Sequence, residues 1–233
     1  MISKHRHDMK QGGIKNKLRT LMLYWFKKQA AKEAKHVLAP YFKSVEVHDI
    51  LKAYSRRYLA LKPELPAMPT MGASLMIHLS AMSTGFYQEL RARGKREETA
   101  TQLFYDIAWK IYQKMGRFSW WLAGWSNRSA HGRLLKATKL FRSFPFNGPA
   151  YLWKDSTTAK NVVGFDCLKC PVAEYFHKQG LSQFCVNTWC ALDIPLASMW
   201  GARLERTGSI AGGANKCDFR WIVKPAKSRN LSL

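Results

Sequence analysis

The residues best equipped for chemistry are crowded into one stretch, 161–223. All five cysteines of the chain lie there: Cys167, Cys170, Cys185, Cys190 and Cys217. Asp166, Glu174 and Asp193 accompany them, and Arg203 and Arg206 sit beside the glycine-rich turn SIAGGANK. A thiol can act as a nucleophile, a carboxylate can carry a proton, and a guanidinium can grip an anion. A thiolate needs a lowered pKa, as at a helix N-terminus or beside a cation. Cys170 precedes Pro171, a favoured first residue of a helix, which puts Cys170 at the N-cap. Cys190 stands three residues before Asp193 and shares its pocket in this reading. The competing chemistry is zinc. Cys167-x-x-Cys170 has the spacing of one knuckle, but the remaining cysteines are single and far apart rather than a second pair. The reading therefore carries no metal and no cofactor.

The elements that position these groups follow from periodicity. Residues 16–38, 45–61, 70–93 and 97–114 show apolar positions at helical spacing. KPELPAMP is a proline-punctuated linker. From residue 145 the period changes. Residues 151–153, 161–165, 202–207 and 217–223 read as strands, with short helices over 171–179 and 182–191. The fold class is α+β: a mostly helical N-terminal half packed on a C-terminal antiparallel sheet with short helices. The expected organisation is a disordered basic arm (1–14), a helical region (15–144), a cysteine-bearing α+β catalytic region (145–224) and a flexible tail (225–233). His78, in the apolar third helix, reads as a core histidine.

Charge and hydropathy narrow the surroundings. The formal net charge is +23. Residues 1–150 hold 27 Lys/Arg against 9 Asp/Glu, whereas 151–200 hold four of each. The basic excess therefore lies outside the candidate catalytic stretch, and it suits an anionic membrane surface or an acidic protein partner. The helix over 16–38 carries Trp25 and Phe26 among lysines. That fits either an interfacial helix or a surface helix capping the core, and the latter is preferred. FSWWLAGW (118–125) followed by a basic run would suit nucleic acid or a membrane interface, but the expectation is packing against the second half. No nucleic-acid-binding motif accompanies it, so nucleic acid is not the expected partner. The charge-free stretch 65–88 contains Pro66, Pro69, Gly72 and Gly85 and reads as a buried helix, not a membrane span. MISKHRHDMKQGG has no apolar core and does not read as a signal peptide. A cytoplasmic protein, peripheral to the membrane at most, is expected. Oligomeric state is not legible.

The segments CPVAEYFHKQGL, Cys190-x-x-Asp193 and LERTGSIAGGANKCDFRW resemble the L-2-amino-thiazoline-4-carboxylic acid hydrolase family. The matching residues are Cys170, Pro171, Glu174, Cys190, Asp193, Arg206, Thr207, Gly212, Cys217, Asp218 and Phe219. Cys167 and Cys185 fall outside that pattern and are expected to pack. The resemblance implies hydrolytic opening of a cyclic amidine, 2-amino-thiazoline-4-carboxylate, to N-carbamoyl-cysteine. Cys190, Asp193, Cys170 and Glu174 are then the catalytic candidates, and Arg206, Thr207 and Cys217 the substrate-binding ones. A carboxylate such as Asp193 or Glu174 would hold the amidinium and move its proton, and Arg206 would take the substrate carboxylate. Two routes stay open. In one, Cys190 or Cys170 attacks and water resolves the adduct; in the other, Asp193 activates water directly.

A looser resemblance runs to small-molecule-binding domains of the 4-vinyl-reductase type. It implies an accessory protein that binds a ligand without turnover and docks a partner or an anionic membrane through its basic helical half.

Overall fold

The computed structural model describes residues 2–126, 129–156 and 159–224, with side chains from residue 16 onward. The expected tail over 225–233 lies outside the described residues. Helix α1 spans Ile2–Leu38 and α2 Ser44–Leu61. The α1 backbone is already helical at Ile2, where periodicity placed its start at Asn16. Helix α3 covers Met71–Ala92, and its N-cap Thr70 accepts the Ala73 amide at 3.1 Å. Helix α4, Glu97–Gly124, opens with two acids that complement the helix dipole. It runs ten residues past the expected end at Lys114, so the aromatic run 118–124 is its last turns. Helix α5, Ala130–Ser143, was not foreseen; Ser129 caps it by accepting the Gly132 amide. Among the described residues, no helix is long and apolar enough to cross a membrane.

The second half begins with β1 (Leu152–Asp155) and β2 (Val162–Lys169). Then come α6 (Pro171–Lys178), α7 (Ser182–Cys185), a π turn over Val186–Cys190 and α8 (Asp193–Met199). Strands β3 (Ala202–Glu205) and β4 (Cys217–Val223) complete a four-stranded antiparallel sheet of order β1-β2-β4-β3. The α+β expectation holds, helices first and sheet after. The β2–β4 register pairs Cys167 with Cys217, Phe165 with Phe219 and Val163 with Trp221. All six are buried, because alternate residues of a strand share a face. The opposite face carries Asp166, ion-paired to Lys216 at 2.7 Å and Arg220 at 2.9 Å.

One buried cluster unites the halves, from Phe26 and Leu38 through Ile77, Leu103 and Phe176 to Trp221. Trp200 ties α8 to α4 by donating its indole N–H to the Gly116 carbonyl at 3.0 Å. A side chain at Gly116 would collide with Leu196 and Met199, so the missing Cβ sets how closely α8 approaches. His78 meets the Tyr58 hydroxyl at 3.0 Å, and burial, with Arg19 and Lys62 nearby, lowers its pKa to about 4.

Candidate active site

The sheet's buried face and the helices enclose a cavity of about 250 Å³, and all five cysteines line it. Its polar groups converge from four elements. Tyr112 comes from α4, Cys190 from the π turn, Asp193 from the start of α8, and Arg206 from the end of β3. The Arg206 guanidinium donates to Asp193 Oδ2 at 3.2 Å and to the Cys190 carbonyl at 3.2 Å. The Tyr112 hydroxyl donates to Asp193 Oδ1 at 3.3 Å. Arg206 also lies over the Phe219 ring at 5.3 Å, an added attraction between a cation and a ring face.

Burial is what sets Asp193 apart. Loss of water pushes its carboxyl up to about 6, and the charge of Arg206 and the two hydrogen bonds only partly offset this. Such a group is ionised at neutral pH yet basic enough to accept a proton.

The π turn arranges Cys185 and Cys190. Five residues on a regular α-helix leave the side chains about 140° apart, whereas i→i+5 bonding brings the fifth residue back above the first. Interaction with the neighbouring Cys185 thiol is the main influence that lowers the Cys190 pKa; burial opposes it and Arg206 assists. The same coupling raises Cys185. The other three thiols are held neutral. Burial pushes Cys167 up to about 12 and Cys217 up to about 11. Cys170 is N-cap to α6 as expected, but it makes no capping hydrogen bond, and burial drives its pKa well up. The helix dipole does not rescue a desolvated thiolate there.

The predicted residues therefore divide. Cys190, Asp193, Arg206, Cys170 and Cys217 share the cavity. Glu174 does not: it points outward from α6 into a separate hollow beside Glu64 and Leu65. An N-terminal turn whose apolar side faces the core turns Glu174 to the outside. Thr207 is not on the cavity wall either. Asp218 accepts its amide at 3.0 Å, its hydroxyl at 2.6 Å and the Gly208 amide at 2.9 Å. That clasp fixes the chain just after Arg206. Arg206 itself is engaged with Asp193 rather than left open for a substrate carboxylate. Cys185 and Cys167, expected to pack, are cavity wall, and Cys185 acts on Cys190. Tyr112 falls in the helix expected over 97–114, and nothing in its spacing announced a partner 81 residues away.

Among the described residues, no group of three or more His, Cys, Asp or Glu is placed to hold a metal ion.

Comparison with known families decides the kinship. A family model described as L-2-amino-thiazoline-4-carboxylic acid hydrolase matches residues 76–221. The chain belongs to that family. The match starts within α3 and ends in β4, so it takes in Tyr112, every cysteine, Asp193 and Arg206. Helices α1 and α2 lie before it, although Phe26, Ala30, Ala34 and Leu51 from those helices help close the cavity. The family's description names a hydrolase, in keeping with a mostly apolar cavity that brings thiols, a carboxylate and a guanidinium together. No curated protein matches the chain.

Proposed function

We propose that the chain hydrolyses a small cyclic amidine of the 2-amino-thiazoline kind, with Cys190 as nucleophile and Asp193 as proton carrier. The observation that carries this reading is the convergence of Cys190, Asp193 and Arg206, with Cys190 the only cysteine among those described whose pKa is moved down.

The Cys190 thiolate adds to the amidine carbon and forms a C–S bond. Asp193 holds the amidinium nitrogens, keeping that carbon electron-poor. Collapse of the adduct breaks the bond from the amidine carbon to the ring sulfur. The sulfur leaves as a thiolate and takes up one proton, with little acid assistance because free thiols ionise near pKa ~8.5. Water then adds to the same carbon, passes a proton to Asp193 and expels Cys190. One water is consumed, and the product is a urea bearing a free thiol. Arg206 keeps Asp193 anionic and fixes the π turn through the Cys190 carbonyl. Cys170 and Cys217 shape the wall as neutral thiols. Glu174, outside the cavity, has no step.

Release of free thiol from 2-amino-thiazoline-4-carboxylate, followed with a chromogenic disulfide, tests this. Cys190→Ser and Asp193→Asn should each lower kcat/KM by about 10²–10⁴. Retention in Cys190→Ser alone would favour attack by water from Asp193. Retention in both would remove the site assignment. A wild-type chain that binds the thiazoline without releasing thiol would support the ligand-binding alternative.

A further inference from the structure

The cavity is much more apolar than a small zwitterion requires. Away from Asp193 and Arg206 it runs between the helices, walled by Ala30 and Ala34 of α1, Leu51 of α2, Met76 and Met82 of α3 and Phe104 of α4. A void of about 150 Å³ lined by such groups already accepts benzene, and this one is about 250 Å³. Walls of this kind complement an apolar occupant, because burying its surface against them removes that surface from water. Of the remaining cations on the wall, Arg142 commits one guanidinium arm to Asp155 at 2.6 Å while its buried Nε has no partner among the described residues, and Lys27 is exposed. At the cysteine end, the Tyr151 hydroxyl and the Trp189 indole N–H are buried, line the cavity and have no hydrogen-bond partner among the described residues. Two orphan donors on the cysteine-bearing wall fit a head that presents acceptors there, such as a neutral ring nitrogen or a ring sulfur.

We infer that the ligand is an amphiphile: an amidine or thiazoline head at Asp193, Tyr151 and Trp189, and an uncharged alkyl or aryl body in the channel between α1, α3 and α4. The assignment of the head rests on the proposed hydrolase reading; the assignment of the body rests on the cavity alone.

A series of 2-amino-thiazolines carrying 4-methyl, 4-butyl, 4-hexyl or 4-carboxylate groups tests it by calorimetric binding and by thiol release. Affinity should rise about three- to fourfold per methylene from methyl to hexyl, and the 4-carboxylate should bind more weakly than the 4-butyl compound. Ala34→Trp, or the milder Ala30→Phe should the first not fold, should erase the gain with chain length. Flat affinity along the series, or preference for the carboxylate, would overturn the inference. The two readings fail separately. Chain-dependent binding without thiol release sinks the hydrolase and keeps the channel; turnover of the carboxylate without chain dependence does the reverse.

A different observation supports a second proposal. Lys95 lies over the ring of Phe42 just beyond the C-terminus of α1, and Lys114 bonds Gln29 and Glu33, so α1 and α4 run antiparallel. The C-terminal turns of α4 therefore lie beside the 18–25 part of α1. Instead of packing inward as expected, Phe118, Trp121 and Trp125 are exposed there, at 62%, 51% and 74%, as are Leu21 and Tyr24. Only Trp120 turns inward, stacking on Trp200. Exposed Lys17, Lys28 and Arg117 belong to the same end of the two helices. We propose that this face docks on an anionic membrane, with the aromatic rings at headgroup level and the cations on anionic lipid.

Co-sedimentation with vesicles of phosphatidylcholine containing 30% phosphatidylserine should capture the chain, whereas pure phosphatidylcholine should capture at least tenfold less. The double substitution Trp121→Ala, Trp125→Ala should cut capture at least fivefold and abolish a blue shift of tryptophan emission. Capture lost with salt and indifferent to the double substitution would overturn insertion of the rings. A concentration-dependent dimer abolished by that substitution would overturn it too, assigning the face to a second copy.

Discussion

The Arg206 guanidinium stands 3.2 Å from the Asp193 carboxylate, yet the carboxyl remains a weak acid, with a pKa of about 6. Burial outweighs the ion pair: the two side chains are only 14% and 18% exposed. A proton acceptor must be ionised, so kcat/KM should climb with pH through about 6 and lose about tenfold per unit below it. Asp193→Asn should remove that acid limb along with most of the activity. Arg206→Lys should preserve charge but lose the fork that reaches both Asp193 and the Cys190 carbonyl, lowering kcat/KM by about 10–10². An unchanged pH profile in Asp193→Asn counts against the assignment.

The coupling between the Cys185 and Cys190 thiols makes a separate prediction. With its sulfur stabilised by a neighbouring thiol and Arg206, Cys190 should be the first of the cysteines alkylated by iodoacetamide, as read by peptide mass mapping. Cys185→Ala removes the neighbouring thiol, so the pH midpoint of that alkylation should move upward and its rate at pH 7 should drop severalfold. Cys167→Ala, on the sheet wall, should leave the midpoint in place. If Cys170 or Cys217 reacts first, burial has been outweighed there by something the geometry does not supply.

The chain patterns led readily to helices α1 to α4 and to the sheet. Apolar periodicity is set by local geometry, and Cys217, Phe219 and Trp221 alternate on β4 as a half-buried strand must. The motif residues Cys190, Asp193 and Arg206 were legible as a set because the family resemblance picked them out from several residues whose types could do chemistry. What was hidden depends on contacts distant in sequence or on local departures from regular structure. Glu174 looked catalytic by type, but the rotation of α6 turned it outward. Cys185 looked inert because no propensity rule foresees a π turn. Tyr112 lay in an amphipathic helix and Tyr151 in a short strand, and neither stood out until the fold carried them to the cysteines. Trp121 and Trp125 were expected inside on hydrophobicity alone, but α4 simply ran past the body it packs on.

Gly116 offers a test of how the helical half holds the site. Here α4 meets both the Leu196 and Met199 side chains and offers its carbonyl to the Trp200 indole. Gly116→Val should overpack this junction and cost about 1–3 kcal/mol, seen as a lower midpoint in urea. Because Asp193 begins the displaced helix, kcat should fall more than the stability loss alone implies. Trp200→Phe keeps an aromatic ring but removes the indole N–H given to the Gly116 carbonyl, which the helix's own ladder still serves, a milder loss of about 1 kcal/mol. A Gly116→Val chain with full activity would uncouple α8 from α4.

The clasp around Asp218 gives a stability prediction with a definite sign. Burial works against its charge, but donors from Thr207 and Gly208 prevail and hold its pKa down to about 2, against an ordinary 3.8. A carboxylate depressed on folding contributes stability above its unfolded value, and that contribution is lost as pH falls toward 2. Asp218→Asn should therefore lower stability at pH 7 by about 1–2 kcal/mol, the figure being discounted for partial exposure. The gap between variant and native chain should close between pH 4 and 2, read as the difference of thermal midpoints. The difference matters because Asp166 and Glu89 are also held low and titrate in the same direction. Thr207→Val, which removes the hydroxyl bonded at 2.6 Å, should reproduce part of the loss. Both variants should raise KM or lower kcat without moving the Asp193 acid limb, since they loosen the segment behind Arg206 and touch neither reacting group. A gap between variant and native chain that widens on acidification would reverse the sign and refute the clasp.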